Sequence, residues 1–439
     1  PNSYSIWEKI QRIFDDKIKR SGHKNCYFPM FIPESLLKKE ADHFEGFTPE
    51  VAWVTRGGNS ELQEKLAIRP TSETVMYESY AKWIRSWRDL PLLLNQWNSV
   101  VRWEFKHAKP FLRTREFLWQ EGHTAHATKE EAEKEVMQQL FEYTDLIETF
   151  MAIPVIAGKK TEKEKFAGAD YTTAVEAFMP DGKALQMGTS HFLGQNFSKP
   201  FGIKFLDKDE KEKFAWTTSW GLSTRTIGAI VMVHGDDKGL VLPPKIAPIQ
   251  FVVVPIVFKG NKDPIVAKAK DIIKKLRSKN YNVLLDDRDG YTPGWKFNEW
   301  ELKGIPLRIE IGPKEVEADK LVIVRRDTNE KIEIKTKDWE KKIEQALDDM
   351  QDSMFKKAKE YLTKSIVEVK NFDDFIKAIK DKKMAKVLFC GSMGCEDLIK
   401  DKAEGASCRC IPFEQKQAQG KCVQCGKEAK SWAVFGKSY

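Results

Sequence analysis

The stretch VRWEFKHAKPFLRTREFLWQEGH, residues 101–123, holds the groups from which the fold of this chain can be worked out. Arg102 and Glu104 stand near its beginning, a short loop follows, and Arg113 and Phe117 come four residues apart on the return. Two apolar-flanked segments joined by a loop predict an antiparallel β-hairpin. Each guanidinium group could fork onto a phosphate, the carboxylate could accept from an amine, and the phenyl ring could face a base. The hairpin therefore predicts a site for a nucleoside triphosphate.

Length and composition bound the class of protein. The chain has 439 residues, of which 41% are hydrophobic and 31% charged, so we expect a globular protein of two to three domains. No run approaches roughly 18 apolar residues and the N-terminus lacks a charged-then-apolar signal, so we expect neither a membrane span nor a secretory peptide. A formal net charge of +8 permits contact with nucleic acid. Because the chain begins with Pro1 and not with methionine, we expect it to be a fragment of a longer product.

Six of the seven cysteines follow position 389. This clustering predicts a metal site rather than a secreted disulfide framework, and with it a reducing, cytoplasmic setting. Four of the six form a C-x4-C and a C-x2-C pair 26 residues apart, namely Cys390 with Cys395 and Cys422 with Cys425. Two such pairs of thiolates can close a tetrahedral zinc site, which is structural because no coordination position stays open. Cys408 and Cys410 compete for the same role, and buried reduced cysteines are the alternative to a metal site.

A change of pattern at Pro243 and Pro244 marks a domain boundary, because two prolines continue neither a helix nor a central strand. The run IQFVVVPIVF that follows is typical of a buried strand, and strands then alternate with helical segments up to about residue 345. This alternation predicts a compact α/β domain. We interpret the charges of the helical stretch that begins at Trp339 as a solvated helix face. No internal repeat or low-complexity tract is found, and the predicted domains are 1–243, 244–345 and 346–439.

The hairpin resembles motif 2 of the class II aminoacyl-tRNA synthetases, whose pattern is R-x-E, a loop, and R-x-x-x-F. Two further strings support this resemblance in the expected order. GHKNCYFPMF, with Pro29, resembles motif 1, which builds the dimer interface in that family. SWGLSTRTIGAIV, with Arg225, resembles motif 3, although Thr224 stands where the general motif has glutamate. The resemblance implies a mixed α/β (α+β) fold with an antiparallel-sheet catalytic core, and a homodimer.

Four strings resemble prolyl-tRNA synthetases of the eukaryote and archaeal type: IRPTSET, REFLWQEGHTAH, TEKEKFAGADYT and GTSHFLGQNFSK. Proline has two N–H donors on its ammonium group and no polar side-chain group, so its site needs acceptors for the amine and an apolar wall for the ring. Thr71 and Glu73 are the candidates on the amine side, and Trp119 and Phe166 could form the wall. Taken alone, each histidine nearby is more often an ordinary core or surface residue. The resemblance nevertheless places seven residues in or beside this pocket: Thr71, Glu73, Arg102, Trp119, Glu121, His123 and His191.

The implied reaction joins L-proline to ATP, giving prolyl-adenylate and pyrophosphate, and then transfers the prolyl group to the 3′ end of tRNA(Pro). By resemblance Arg102 would hold the α-phosphate, while Arg113 and Arg225 would hold the bent β,γ end of ATP with Mg²⁺. Glu104 would contact the adenine amino group, and Phe117 would stack on the adenine ring. Arg102 and Arg225 are the expected catalytic residues, acting by position and charge because the carboxylate of proline is already ionised. The sequence reveals no dedicated base for the transfer step.

The α/β domain resembles the anticodon-binding module of class IIa synthetases through the string DDRDGYTPGWKFNEWELKGIPLRIEIGPKE. Proline anticodons carry two guanines, and guanine presents donors on one edge and acceptors on another, which carboxylates and an arginine can read. The resemblance puts these readers at Glu301, Arg308 and Glu315, although the family more often has aspartate at the last position. A surface salt bridge between Glu301 and Arg308 is the alternative.

The same resemblance implies three further features. It favours one set of zinc ligands over the competing cysteines: Cys390, Cys395, Cys422 and Cys425. Core strings fill the segment between Arg113 and Arg225, which leaves no room for the editing domain of many bacterial prolyl enzymes, so we expect no cis-editing of mischarged alanine. The ending WAVFGKSY resembles the family's C-terminus, so we expect Tyr439 to pack toward the catalytic domain and to be sensitive to extension.

Two other functions stay open from the sequence. A synthetase for threonine, histidine or glycine would share the core, but threonine would demand a catalytic zinc, and no Cys/His/His set stands out between residues 70 and 191. An inactive paralogue acting as a tRNA-binding or regulatory module would be expected to lose one of four ATP-site residues, and all four are present: Arg102, Glu104, Arg113 and Arg225.

Overall fold

The computed structural model describes residues 1–41, 50–104, 107–257 and 262–439. Its helices are α1 (Asn2–Arg20), α2 (Glu34–Ala41), α3 (Glu73–Trp83), α4 (Lys129–Asp145), α5 (Ser198–Phe201), α6 (Arg225–His234), α7 (Lys262–Ser278), α8 (Pro293–Leu302), α9 (Pro313–Glu317), α10 (Trp339–Ser365), α11 (Phe372–Lys380) and α12 (Met393–Lys402). By contacts between residues the chain divides into two compact units. The first comprises Pro1–Ile13, Leu146–Pro154 and Ile230–Thr363, and the second comprises Phe14–Asp145, Val155–Ala229 and Lys364–Tyr439.

The strands alternate with these helices along the chain. They are β1 (Lys24–Asn25), β2 (Phe31–Pro33), β3 (Trp53–Gly57), β4 (Ser60–Ile68), β5 (Leu92–Val101), β6 (Glu116–His126), β7 (Ile156–Lys159), β8 (Tyr171–Phe178), β9 (Ala184–Gly194), β10 (Lys204–Leu206), β11 (Glu212–Phe214), β12 (Trp216–Ser223), β13 (Phe251–Pro255), β14 (Val283–Leu285), β15 (Leu307–Ile311), β16 (Lys320–Arg325), β17 (Lys331–Lys335), β18 (Ile366–Glu368), β19 (Met384–Phe389), β20 (Ser407–Pro412) and β21 (Ser431–Gly436).

The predicted hairpin is confirmed, because β5 pairs antiparallel with β6 from Leu92↔Ala125 to Val101↔Glu116. It belongs to an 11-stranded sheet with the order β1-β5-β6-β12-β9-β8-β7-β20-β21-β19-β18. Neighbouring strands from β5 to β8 run antiparallel, as expected for the catalytic core. Side chains of directly paired residues point to the same face of a sheet. The register therefore identifies which residues of neighbouring strands share one face of this region.

The same sheet continues into the last part of the chain. β20 pairs antiparallel with β7 through Ile411↔Lys159 and Pro412↔Gly158. β21 then joins β20 to β19, and β18 forms the edge. The cysteine-bearing segment is therefore continuous with the large sheet at the level of backbone hydrogen bonds.

A second sheet, of order β14-β13-β15-β16-β17, lies in the first unit. β13 is parallel to β14 and β15 and buried over its whole length, which confirms the prediction from IQFVVVPIVF. Helix α8 begins at Pro293, where the Thr292 side chain accepts a hydrogen bond from Trp295 N. Helix α10 buries an apolar stripe at helical spacing and exposes its charges, as predicted; the stripe includes Ile343, Ala346, Leu347, Met350 and Met354. Among the helices of the described residues, none has the length and apolar character needed to cross a membrane.

Candidate active site

A cavity of about 360 Å³ opens on one face of the large sheet. Its walls come from β6, β8, β9 and β12, from the segment that leads into α3, from the residues after β5, and from the start of α6. Every residue predicted for the ATP and proline pockets lines this cavity, except Arg113. Residues from widely separated parts of the sequence, from Pro70 to Arg225, are thus brought to one place by the sheet.

Four polar side chains form a row across the floor of the cavity. Thr172 pairs with His191, His191 with Ser219, and Ser219 with His123, on β8, β9, β12 and β6 in turn. The Thr172 hydroxyl lies 2.9 Å from His191 Nδ1. Burial and nearby His123 lower the pKa of His191 to about 3, so this imidazole is neutral at physiological pH.

Glu121 organises the next part of the pocket. Its carboxylate accepts from the backbone N–H of Ser72 at 3.1 Å and from the side-chain amides of Asn98 at 2.7 Å and Gln96 at 3.1 Å. His123 Nε2 lies 3.0 Å from Glu121 Oε2, the oxygen that also accepts from Ser72 N. Burial alone would raise the pKa of Glu121, but the hydrogen bond and charge of His123, followed by hydrogen bonds from the side chains of Ser72 and Asn98, lower it to about 2. Glu121 is therefore ionised at any physiological pH.

Glu73 adds a second carboxylate beside this one. Its oxygen accepts a short hydrogen bond from the Thr71 hydroxyl, and its other oxygen lies 4.0 Å from His123 Nδ1. Burial would lower the pKa of His123, but the charges of Glu73 and Glu121 raise it. The atoms of Glu73, Glu121 and His123 that could ligate a metal ion lie within 4.8 Å of one another. Because hydrogen bonds already occupy Glu121, we do not interpret this cluster as a metal site, and Glu73 is the member that can accept from an ammonium group.

Aromatic rings close the sides of the pocket. The rings of Phe166 and His191 are tilted at 36° with centroids 4.8 Å apart, and those of Phe117 and Trp119 are edge-on at 6.0 Å. Trp119 is oriented by a hydrogen bond of 2.6 Å from its Nε1 to Asn98 Oδ1. These rings give the cavity an apolar wall and flat aromatic faces.

Two guanidinium groups line the cavity, Arg102 just after β5 and Arg225 at the start of α6. Arg102 Nε donates to the carbonyl of Pro70 at 2.9 Å, and its guanidinium carbon lies 5.2 Å from the Trp119 ring centroid. Arg225 donates to the carbonyls of Leu112 at 3.1 Å and Gln186 at 3.2 Å. Burial, and then the charge of Arg102, lower the pKa of Arg225 to about 10, which leaves it protonated. The pair provides concentrated positive charge where a polyanion could bind.

Arg113 lies outside the cavity lining. Its Nη1 donates to the main-chain oxygen of Tyr439 at 3.0 Å, and the Lys109 ammonium lies 5.2 Å from the Tyr439 ring centroid. The Tyr439 hydroxyl donates to Asp181. The expectation that Tyr439 packs toward the catalytic domain is thus confirmed, and its sensitivity to extension stays a prediction.

Several cavity residues were not predicted from the sequence: Ser219, Gln186, Met187 and Thr189. Ser219 is 3% exposed, and its hydroxyl has no hydrogen-bond partner among the described residues. The strand period of two, counted back from His191, would have identified Thr189 and Met187. Ser219 could be found only from the pairing of β12 with both β6 and β9.

The predicted anticodon readers lie on the smaller sheet and its helices. Glu301 on α8 and Arg308 on β15 form an ion pair at 3.1 Å, and Arg308 also binds Glu310 at 3.0 Å. The Arg308 guanidinium carbon lies 4.2 Å from the Phe297 ring centroid. Glu315 instead caps the start of α9, where its carboxylate accepts from Gly312 N at 2.9 Å.

The cysteine prediction converges on one cluster. The Sγ atoms of Cys390, Cys395, Cys422 and Cys425 all lie within 4.8 Å of one another, and Cys408 and Cys410 are not in this group. The Cys390 and Cys425 sulfurs are 3.8 Å apart. A tetrahedral zinc with Zn–S bonds near 2.3 Å would place its sulfurs about 3.8 Å apart, so the donor set fits the metal. A backbone hydrogen bond from Lys427 lowers the pKa of Cys425 to about 7, which favours thiolate formation there.

Three family models match successive parts of the chain. They are the tRNA synthetase class II core domain (G, H, P, S and T) over residues 53–234, an anticodon binding domain over residues 250–346, and the C-terminal domain of prolyl-tRNA synthetase over residues 372–439.

Whole proteins also match over the full length of the chain. A proline–tRNA ligase of Natranaerobius thermophilus is 53% identical, covering 100% of this chain and 91% of that protein. The bifunctional glutamate/proline–tRNA ligase of Cricetulus griseus is 52% identical over 100% of this chain and 31% of that protein. The crystal structure of prolyl-tRNA synthetase from Cryptosporidium parvum, complexed with halofuginone and AMPPNP, matches with a TM-score of 0.96 and 48% identity, over 100% of this chain and 90% of that one.

Proposed function

Because this chain belongs to the prolyl-tRNA synthetase family of class II aminoacyl-tRNA synthetases, we propose that the candidate active site carries out both of its steps with the residues described above. The reaction is proline–tRNA ligation: proline is activated with ATP, and prolyl-adenylate then acylates tRNA. The predicted family, antiparallel core and ligase activity are confirmed. Among the alternatives, a threonine, histidine or glycine enzyme and an inactive module find no support in the relatives matched over 91% of their length, which are proline–tRNA ligases.

Proline binds at the end of the cavity that holds the two carboxylates. Its secondary ammonium donates to Glu73 and Thr71, while Glu121 and His123 hold these acceptors in place. The ring packs between Trp119 and Phe166, with neutral His191 behind Phe166. The observation that carries this assignment is the pairing of two buried carboxylates with an aromatic wall, which matches an amine that has no polar side chain.

ATP binds at the arginine end. The carboxylate of proline attacks the α-phosphorus, the bond to the bridging oxygen breaks, and pyrophosphate leaves. Arg102 stabilises charge on the α-phosphate and Arg225 on the β,γ end, with Arg113 joining from the rim. Glu104 contacts the adenine amino group and Phe117 stacks on the ring. Mg²⁺ bound with ATP would neutralise further charge on the departing pyrophosphate.

In the second step a hydroxyl at the 3′ end of tRNA(Pro) attacks the carbonyl carbon of prolyl-adenylate, and AMP leaves. Its proton has an acceptor in the departing phosphate, so no side-chain base is required.

Glu301 and Arg308, with Glu315, read the guanines of the anticodon. The close Glu301–Arg308 pair supports this assignment, because the ion pair and the Phe297 ring hold the Arg308 guanidinium in a fixed position.

The remaining organisation follows the same proposal. Residues 1–243 form the catalytic core, residues 244–345 the anticodon-binding domain, and residues 346–439 a small domain that holds structural zinc on its four clustered cysteines. Two chains form a homodimer through the motif 1 region. The core strands leave no editing insert between Arg113 and Arg225, so mischarged alanine is not hydrolysed by this chain. The free cysteines fit a reducing, cytoplasmic setting.

ATP–pyrophosphate exchange tests the function directly. We expect exchange that depends on proline and is at least about 100-fold weaker with alanine, threonine, histidine or glycine. Arg102→Ala should abolish it while the protein remains folded by circular dichroism. A folded protein that binds tRNA but exchanges with none of these amino acids would overturn the enzyme function.

A further inference from the structure

A buried network of three charged side chains lies next to the arginine end of the cavity, and nothing in the mechanism uses it. Lys160, Glu176 and Arg409 are 4%, 1% and 6% exposed. Lys160 Nζ lies 2.6 Å from Glu176 Oε1, and Arg409 Nη2 lies 3.2 Å from Glu176 Oε2. Lys160 Nζ also donates to the carbonyl of Arg409 at 2.7 Å. Charges buried this deeply cost free energy unless they are fully paired, so their geometry is tightly fixed.

The network touches the ATP end of the site through one strand pairing. Glu176 on β8 is the register partner of Gln186 on β9, at a point where the register of the two strands shifts. The carbonyl of Gln186 accepts the hydrogen bond from Arg225 Nη1 at 3.2 Å. Gln186 therefore stands between the buried carboxylate and the guanidinium that binds ATP. The charge of Glu176 also acts on Arg225, opposing the fall in the pKa of Arg225 that burial causes.

Arg409 comes from the far end of the sequence. It lies on β20, whose Ile411 pairs with Lys159 of β7, next to Lys160. The backbone N–H of neighbouring Cys408 donates to Glu396 at 3.3 Å, which ties β20 to α12. The C-terminal domain thus supplies a cation that completes a charge network belonging otherwise to the catalytic core.

Building on the proposed function, we propose that Arg409 is a positioning residue for ATP: it fixes Glu176, and through the β8–β9 pairing it holds the Gln186 carbonyl where Arg225 is oriented. Arg409 contacts neither substrate. Its loss shifts Arg225 relative to the β,γ end of ATP and leaves the proline end, which is built on Glu73 and Glu121, unchanged.

Pyrophosphate exchange by the full chain, with ATP and proline varied separately, tests this proposal. Arg409→Met should raise KM for ATP by about tenfold and change KM for proline by less than about twofold. Arg409→Lys keeps the charge but loses the forked contact, and should raise KM for ATP by about threefold. The matched control is Arg325→Met, because Arg325 is 8% exposed, binds Asp327 through two nitrogens and lies in the other unit. It should lower the melting temperature without changing KM for ATP.

Each outcome decides the question. If Arg409→Met lowers the melting temperature like the control and leaves KM for ATP at the parent value, Arg409 has only a structural role and the proposal is wrong. Should Arg409→Met not fold, Arg409→Lys decides, and an unchanged KM for ATP in that variant overturns the proposal. Failure of the function itself looks different, since the parent protein would then show no proline-dependent exchange.

Discussion

The guanidinium of Arg113 donates to the main-chain oxygen of Tyr439 across 3.0 Å, so a residue proposed to bind ATP is held by the last residue of the sequence. The contact lies on an exposed part of the protein, and the ring of Tyr439 sits against the ammonium groups of Lys109 and Lys183, each 5.2 Å from its centroid. ATP must therefore draw Arg113 away from Tyr439 or share it.

The Arg113 side chain should matter for ATP and not for proline. We expect Arg113→Ala to raise KM for ATP by about tenfold or more in pyrophosphate exchange, because one charge-assisted contact to the β,γ end is lost. The KM for ATP of Arg113→Lys should lie between those of the parent and of Arg113→Ala. Arg115, exposed on the same loop with its guanidinium carbon 3.9 Å from the Trp103 ring centroid, provides the control. If Arg113→Ala and Arg115→Ala raised KM for ATP equally, the positive charge of the loop as a whole, and not a specific contact of Arg113, would account for the effect.

Glu121 should make stability depend on pH. Folding lowers the pKa of Glu121 from 4.5 to about 2, so its contribution is complete above about pH 4.5 and is lost as the pH falls toward 2. Glu121→Gln should lower the free energy of unfolding. This loss should be smaller at pH 3 than at pH 6, by on the order of 2 kcal/mol. Urea titrations measure this difference. Glu116→Gln, an exposed change on the same strand, is the control, and a difference for Glu121→Gln that does not change with pH would contradict the assignment.

Metal content tests the cysteine cluster. Purified protein should contain about one zinc per chain by elemental analysis. Cys425→Ser should lose most of it and lower the melting temperature, because a tetrahedral site with three thiolates holds zinc weakly. Cys26→Ala, outside the cluster, should keep its zinc. Zinc retained in full by Cys425→Ser would point to other ligands, with Cys408 and Cys410 tested next.

Changes at the proposed anticodon-reading residues should affect aminoacylation of tRNA and leave pyrophosphate exchange unchanged. Arg308→Ala removes a fork on guanine, worth about 1–3 kcal/mol, so KM for tRNA(Pro) in aminoacylation should rise by about ten- to hundredfold while exchange is unchanged. Glu333→Ala breaks the exposed Lys320–Glu333 pair of the same sheet at 2.8 Å and serves as the control. If both variants charge tRNA like the parent, the Glu301–Arg308 pair is a structural salt bridge.

Local sequence pattern was sufficient to predict the hairpin and the strands and helices of the smaller sheet. The apolar run of β13, the proline at the start of α8 and the helical spacing of α10 are all signals within a few residues of each other. The cavity residues were predictable where short motifs carry them, as for Arg102 and Arg225.

Features set by long-range pairing were not predictable in this way. Lys160 and Arg409 are 249 residues apart in sequence, and no periodicity links β7 with β20. Ser219 reaches the pocket floor because β12 lies between β6 and β9, an order that adjacent residues do not encode. Arg113 was assigned to the phosphate site by its motif, whereas its contact with Tyr439 depends on where the last strand segment lies.

The junction of β7 with β20 also bears on how the protein is made. On the ribosome, β7 emerges with its outer edge unpaired and must wait while the intervening chain, which includes the whole of the smaller sheet, is synthesised. An open edge of this kind is prone to pair with the wrong strand, so this interval is when the nascent chain is most exposed to aggregation and to chaperones. Because the arginine that completes the charge network arrives only with β20, a truncated translation product could hold the proline end of the site but not a properly oriented ATP end. Release of incomplete chains would then yield proteins that bind ATP more weakly than the finished chain.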